Sequence, residues 1–153
     1  MEPMIFGDEK RKKRLIWNLT ANVGIGQPNQ REDVQLVQFG YFAMANNTKN
    51  PPKPDLKAIY AAVRPGSEFT GREEDPLMRA IRAHQRSRGG AQDGRVSVMR
   101  GLSYQGADGP HSFIVLVMNN NFADLMPDDF PRLDKHLGCP QSVREAVRRH
   151  CLP

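Results

Sequence analysis

Residues 22–44, NVGIGQPNQREDVQLVQFGYFAM, decide the fold of this chain, because they predict a turn followed by a central helix. The glycines and the proline near the start of the segment suit turns, and an asparagine there can cap the helix after it. Further on, apolar side chains recur at steps of three and four, at Val34, Val37, Tyr41 and Met44. This stripe predicts a helix over residues 32–44.

Two further helices are predicted after a polar, proline-rich linker at residues 46–54. One begins at Asp55, which can cap it, and ends before Pro65-Gly66. The other begins at Asp75-Pro76, where aspartate caps and proline suits the first helical position, and ends before Gly89-Gly90. Each carries one apolar stripe, formed by Leu56, Ile59, Tyr60 and Val63 in the first and by Leu77, Ala80, Ile81 and His84 in the second. We therefore expect three helices that bury these stripes against one another.

The C-terminal third predicts strands as well as helices. Residues 112–118 are a continuous apolar and β-branched run, which indicates a buried strand. Its partner is expected at residues 95–99 or 15–19, in an element of two or three strands. A broken helical segment is expected at residues 122–137, and a last amphipathic helix at residues 140–150. The fold class is therefore mainly α, of the α+β type.

Composition and charge limit the classes of function. The chain has 153 residues, of which 39% are hydrophobic and 25% charged, values typical of a globular domain. Its formal net charge of +5 favours acidic partners such as nucleic acid, anionic lipid or the carboxylates of a bacterial cell wall. No apolar run approaches the ~20 residues that a membrane-spanning helix needs, so we expect no membrane span.

Residues 1–21 are predicted to form a basic N-terminal arm. The run Lys10-Arg11-Lys12-Lys13-Arg14 is followed by a very short apolar stretch, too short for the hydrophobic region of a secretion signal. The protein is therefore expected to be cytoplasmic as synthesised, with export by an unconventional route as the alternative. The basic run either binds an anionic surface or is a solvated arm, and the second is the more common outcome for such runs.

Two stretches share their order and spacing with a known family. The first, NVGIGQPNQREDVQLVQ at residues 22–38, places a glycine-asparagine loop before a helix with an aspartate-valine pair and then valine-glutamine. The second, FTGREEDPLMRAIRAHQRSRGGAQDGRV at residues 69–96, has a glycine turn, an alanine-isoleucine helix that ends in glutamine, and an aspartate-glycine turn. Together they resemble the peptidoglycan-binding-like domain family, in its secretion-associated bacterial variant.

The resemblance covers residues 22–101 and implies a three-helix peptidoglycan-binding-like bundle there. Residues 102–153 are expected to form an extension, with a short strand element and one or two helices, packed on that bundle. Two positions depart from the family's pattern. His84 stands where the family usually has phenylalanine, and residues 97–101 replace a threonine-containing helix. The second departure bears on ligand binding more than on the fold.

Five side chains are candidate ligand contacts. Gln38 and Gln85 can hydrogen-bond an amide-rich ligand or, equally, satisfy the backbone of nearby loops. Asp93 and Arg95 flank a glycine turn, and the Arg95 guanidinium can bind the carboxylate of a stem peptide through two hydrogen bonds. His84 is either a ligand contact or, more commonly on an apolar stripe, a core-edge histidine bonded to neighbouring groups.

The last helix is a candidate element for docking a partner. Val143 and Val147 share one face, while Arg144, Arg148 and Arg149 point elsewhere, which is the pattern of an amphipathic docking helix. We therefore expect Arg144, Val147 and Arg148 to contact the partner.

No catalytic residue, metal site or cofactor is predicted. A helix separates the two cysteines and is roughly 18 Å long at 1.5 Å per residue. Cys139 would lie with His136 at its start, and Cys151 with His150 at its end. That separation is too large for a disulfide or for one zinc ion. The aspartates between residues 124 and 129 flank prolines at a helix start, where capping explains them.

The leading hypothesis is a non-catalytic binding or adaptor protein that binds peptidoglycan or another bacterial protein, associated with the cell envelope or a secretion system. An alternative is a protein interaction module on the same scaffold that has lost glycan binding. A third is nucleic-acid binding through residues 10–14 and 144–149. It is disfavoured because aromatic residues, 7% of the chain, are not interleaved with the basic runs. The sequence leaves the oligomeric state open.

Overall fold

Four helices of the fold lie where the sequence predicts them. The structure is a computed structural model that describes residues 1–10, 12–106 and 109–151. Its α-helices are α1 (Arg31–Ala45), α2 (Pro54–Ala61), α3 (Pro76–Arg88), α4 (Ile114–Leu125) and α5 (Gln141–His150), and a short 3-10 turn covers Leu133–Lys135. Helices α1, α2, α3 and α5 confirm that the predicted helices exist. The predicted caps of α1 and α2 are wrong, because neither helix has a side-chain cap, and α2 ends at Ala61, before Val63 of the predicted stripe.

Three two-stranded antiparallel sheets accompany the helices in the described part of the chain. They pair β1 (Glu2–Phe6) with β2 (Arg14–Asn18), β3 (Val23–Gly24) with β4 (Arg95–Val96), and β5 (Ser103–Gly106) with β6 (Gly109–Ser112). The α+β class is therefore confirmed. The pairing differs from the prediction, because β2 pairs with β1 and β4 pairs with β3, and neither pairs with residues 112–118.

Local signals set both ends of α3. Asp75 caps the helix by accepting a hydrogen bond from the amide of Leu77 at 2.8 Å. Pro76 occupies the first turn, where its missing N–H leaves no hydrogen bond unmade. Gly89 ends the helix in the left-handed region, at a φ of 71°. These signals act within one turn of the helix, which is why the sequence predicts its bounds well.

Helix α1 lies at the centre of the packing. It packs against α2, α4 and α5, and α2 packs in turn against α3. Helices α1 and α4 approach closely at Gly40, where an added Cβ would lie 2.5 Å from the sulfur of Met118. A side chain at position 40 would need the space that Met118 fills. The helices of the C-terminal extension therefore pack directly on α1.

The prediction of a strand at residues 112–118 is wrong, because most of this run forms the first turns of α4. Val115 and Met118 lie in the main apolar core, while Leu116 lies in a second, smaller cluster that also contains the end of β1. A helix that is buried on two sides lacks a polar face, so its sequence lacks amphipathic periodicity. The broken helical segment expected at residues 122–137 is the end of α4, a loop and the 3-10 turn.

The predicted basic arm, residues 1–21, contains the β1–β2 hairpin. Ile16 and Trp17 are fully buried, and the Trp17 indole N–H donates a 2.7 Å hydrogen bond to the carbonyl of Pro131. The basic run lies at the turn between the strands, where its described lysines are exposed. Arg11, within that run, lies outside the described residues. A solvated arm is therefore a correct description of the turn only, because the strands that flank it enter the core.

At two positions an asparagine side chain makes the backbone hydrogen bonds that a neighbouring strand would otherwise make. The Asn119 amide accepts a hydrogen bond from the N–H of Trp17 and donates one to its carbonyl, both at 2.8 Å. The Asn18 amide does the same for Met99, at 2.9 and 3.0 Å. Each amide thus satisfies both backbone groups of one buried residue. These contacts join β2 to α4 and to the loop after β4.

One apolar core takes residues from all three predicted segments. Fully buried members are Trp17 from the first segment, Phe39 and Ile81 from the second, and Phe122 and Val147 from the third. The hairpin, the first three helices and the extension are therefore joined by shared burial of apolar surface. The segment boundaries themselves stay a prediction.

Candidate functional site

Three of the five predicted ligand residues meet at one cleft, which we name the Arg95 cleft. It has a volume of about 350 Å³ and lies between the end of α3, the turn before β4, strand β5 and the start of α4. Its lining consists of Gln85, Ala91, Asp93, Arg95, Ser97, Tyr104, Gln105, Phe113 and Ile114. Both the segment 22–101 and the C-terminal extension therefore contribute to it.

Gln85 shapes the turn at one wall of the cleft. Its Oε1 accepts a 2.9 Å hydrogen bond from the amide of Gly94, and its Nε2 donates to the carbonyl of Arg95 at 3.0 Å and to Asp93 Oδ1 at 2.9 Å. Gly94 has a φ of 70°, and an added Cβ would lie 2.7 Å from the guanidinium carbon of Arg82. Gln85 is therefore a positioning residue for the turn, with its hydrogen bonds already used.

Asp93 and Arg95 are the charged groups of the cleft. Arg95 Nε lies 3.0 Å from Asp93 Oδ2, and the two side chains are 45% and 40% exposed. Solvent screens an exposed pair of this kind, so each partner can exchange the other for a ligand at little cost. Beside them the rings of Tyr104 and Phe113 meet edge to face, with centroids 5.5 Å apart. The arrangement suits a ligand with a carboxylate, an ammonium group and a short apolar chain.

Gln38 lies away from the Arg95 cleft, on α1. Its Oε1 accepts a 3.0 Å hydrogen bond from the amide of Gly66, and its Nε2 donates to the carbonyl of Ser67 at 3.0 Å. The side chain is buried. Gln38 therefore holds the backbone of the turn after α2, as Gln85 holds the turn before β4.

His84 is also separate from the Arg95 cleft, buried on the inner face of α3. Its Nδ1 lies 3.3 Å from the Tyr41 hydroxyl, and its ring meets the rings of Tyr41 and Tyr60 edge to face. Burial lowers the pKa of His84 to about 3, and the charge of Arg88 acts in the same direction. Burial also raises the pKa of Tyr60 to about 12. The cluster is therefore uncharged at neutral pH, the state expected of a core-edge histidine.

The predicted docking residues of α5 serve the fold of the chain itself. The Arg144 guanidinium donates hydrogen bonds to four carbonyls between Asp134 and Cys139, at 3.1, 3.1, 3.5 and 3.3 Å. Val147 is fully buried, so the prediction that it contacts a partner is wrong: the apolar face of α5 packs inward. Arg148 is 57% exposed, with its Nε 3.6 Å from the carboxylate of Asp134. Of the three, Arg148 is the most accessible.

Sequence reasoning misses the aromatic wall of the cleft. Tyr104 and Phe113 lie in a turn-rich stretch without periodicity, and the hairpin that brings them together is short. The Gly-Pro pair at residues 109–110 predicts a turn, but both residues lie in β6, so this signal does not locate the hairpin.

The cysteines and the acidic residues do not form a second site in the described part of the chain. Cys139 and Cys151 are free thiols, as predicted. Burial raises the pKa of Cys139 to about 12, so its thiol is protonated at neutral pH. Within residues 1–10, 12–106 and 109–151, no three His, Cys, Asp or Glu side chains lie close enough to hold a metal ion. None of the described helices has the length and apolar character needed to cross a membrane.

No protein-family model matches the chain, and no curated protein or solved structure matches it. The resemblance to the peptidoglycan-binding-like family therefore rests on the two sequence motifs. In the structure those motifs are in contact, because β3 of the first motif pairs with β4 of the second.

Proposed function

We propose that the protein is a non-catalytic binding or adaptor protein of the peptidoglycan-binding-like type, and that its Arg95 cleft binds stem peptides of the bacterial cell wall. The observation that supports this is the exposed Asp93–Arg95 pair beside an aromatic wall. Stem peptides carry carboxylate and ammonium groups on short carbon chains. Arg95 would bind a carboxylate through two hydrogen bonds, and Asp93 would bind an ammonium group.

The scaffold in this proposal is the three-helix unit of residues 22–101. Helix α2 packs on both α1 and α3, and Gln38 and Gln85 hold the turns that follow α2 and precede β4. Rigid turns reduce the conformational entropy lost on binding, which suits a site built on two side chains. Such a protein would act at the cell envelope or in a secretion system.

Co-sedimentation with purified peptidoglycan sacculi tests the proposal. The wild-type protein is expected to pellet with sacculi, and Arg95→Ala to bind about tenfold more weakly, because one charge-assisted contact is lost. Arg79→Ala is the matched control, since Arg79 is an exposed arginine on α3 outside the cleft. It changes the net charge equally and is expected to bind like the wild type.

Two outcomes would contradict the proposal. One is that the wild-type protein pellets no more than an unrelated protein of equal charge. The other is that both arginine variants lose the same amount of binding, since the attraction would then depend on net charge and not on the cleft.

A second candidate is a protein interaction module, and one observation favours it. Leu137, in the loop held by Arg144, is 94% exposed. Burial of such a large apolar side chain against a partner would be favourable. Truncation after Gly101 is a poor test of this candidate, because it removes Phe122 and Val147 from the core. Leu137→Ser leaves the core intact, and loss of partner capture by this variant would support the interaction module.

A further inference from the structure

The turn between β1 and β2, residues 7–13, presents basic side chains at the surface. Lys10, Lys12 and Lys13 are exposed, and none of them has an ion-pair partner among the residues that the structure describes. The amide of Lys10 donates a 2.9 Å hydrogen bond to Asp8 Oδ1, which gives the turn a defined shape. We call this surface the basic turn.

Three arginines elsewhere at the surface are engaged, whereas the three exposed lysines of the basic turn lie within four residues of one another in the sequence. Arg149 pairs with Glu32 at 2.6 Å, and Arg144 donates to the backbone of its own loop. Arg14, which follows the basic turn, donates to the side chain of Asn120 and lies over the ring of Phe6, 5.8 Å from its centroid. The lysines of the basic turn have no such contact among the described residues, so their charge is available to a partner.

An exposed apolar side chain lies on the same hairpin, two residues before the basic turn. Ile5 on β1 is 62% exposed and pairs with Leu15 of β2 across the hairpin. The hairpin itself is fixed, because Ile16 and Trp17 are fully buried. An exposed isoleucine and basic residues on the same rigid hairpin match the interfacial region of a lipid bilayer, where acyl chains begin below charged headgroups.

We propose that the basic turn, together with Ile5, is a docking surface for an anionic phospholipid bilayer. Lysines near such a surface are attracted by its negative potential. Asp8 and Glu9 oppose this attraction, but the described part of the turn remains net positive, since it has three lysines and two carboxylates. Nucleic acid is the less suitable partner, because both aromatic residues of the hairpin, Phe6 and Trp17, are buried and cannot stack on bases.

Vesicle flotation tests this proposal on the whole chain. The wild-type protein is expected to float with vesicles that contain phosphatidylglycerol and not with vesicles of phosphatidylcholine alone, and added salt is expected to release it. The triple substitution Lys10→Ala, Lys12→Ala and Lys13→Ala should weaken partitioning by about 100-fold, from roughly fivefold per lysine.

The chain offers a matched control for this charge change. Substituting alanine for Lys49, Lys53 and Lys57 removes three exposed lysines elsewhere, and we expect it to weaken partitioning much less. Ile5→Thr keeps a β-branched residue on the strand and should weaken partitioning by about fivefold, since apolar contact with the bilayer is reduced. Circular dichroism of each variant confirms that it is folded before its partitioning is compared.

Three outcomes would overturn the proposal. The first is equal partitioning to vesicles with and without phosphatidylglycerol. The second is equal loss from the two triple substitutions, which would indicate attraction by net charge alone. The third is tight binding of an oligonucleotide that depends on the three turn lysines, with no partitioning to anionic vesicles, which would make the basic turn a nucleic-acid surface.

Discussion

His84 couples the stability of this fold to pH. Its pKa is about 3 in the folded protein, because the ring is buried between Tyr41 and Tyr60. In the unfolded chain the pKa of histidine is about 6.5. Below that pH the unfolded state takes up a proton that the folded state does not accept until about pH 3. The stability of the fold is therefore highest above the unfolded pKa and falls as the pH is lowered towards the folded pKa.

Replacing His84 with phenylalanine should remove this part of the pH dependence. Between about pH 7 and about pH 4, we expect the free energy of unfolding to fall by about 3 kcal/mol more in the wild type than in His84→Phe. Urea unfolding at several pH values measures the free energy of unfolding of both proteins. The Tyr41 hydroxyl loses a partner in the variant, which adds an offset that does not change with pH in this range. Equal losses in the two proteins would show that His84 has no such role.

Elements of the fold are joined by single amide side chains. Asn119 of α4 bonds both backbone groups of Trp17 in β2, and also donates to the carbonyl of Val115 at 2.8 Å. Because β1 covers only one edge of β2, the other edge needs partners where it is buried. An asparagine on a helix meets this need at one position, whereas a strand would have met it along the whole edge.

Asn119→Leu should destabilise the protein by about 3 kcal/mol. Leucine has a similar size but no hydrogen-bonding groups, so the buried N–H and carbonyl of Trp17 would be left unpaired. The control is Asn120→Leu, at the next position of the same helix, where the side chain is exposed; it removes only the exposed hydrogen bond from Arg14, which water can replace, and the expected cost is at most about 1 kcal/mol. Urea unfolding compares the two. A loss at position 119 no larger than the loss at position 120 would refute the role of Asn119.

At the scale of the whole molecule, residues from the first strand pair to the last helix share one apolar core. Trp17 contacts this core together with residues from α1, α4 and α5. It is the one tryptophan in the sequence and is fully buried. Its fluorescence therefore reports on the integrity of the core at the hairpin, while far-ultraviolet circular dichroism reports mainly on the helices.

These two signals should change together during unfolding. We expect the fluorescence and circular dichroism curves in urea to have the same midpoint, because elements that share one core unfold cooperatively. A separate, earlier fluorescence transition would mean that the β1–β2 hairpin detaches before the helices unfold. In that case the rigid support proposed for the basic turn would also be absent.

Particular residues show why part of the site is predictable from the sequence and part is not. The turn at Asp93 and Arg95 is predictable, because its glycine and its charged neighbours are adjacent in the chain. The other wall of the cleft depends on Tyr104 and Phe113, which come together through a short hairpin. The pairing of such short strands depends on how their side chains pack against neighbouring elements, and no local sequence pattern encodes it.

The sequence alone determined where α3 begins and ends, because its aspartate cap, proline and glycine act on their immediate neighbours, and it placed α1, α2 and α5 to within a few residues. Tertiary structure decided that residues 114–125 are a helix, since burial on two sides removes the periodicity that would indicate one. It also decided that Val147 faces its own core. An amphipathic pattern shows that a face is covered, but packing alone determines whether the chain itself or a partner covers it.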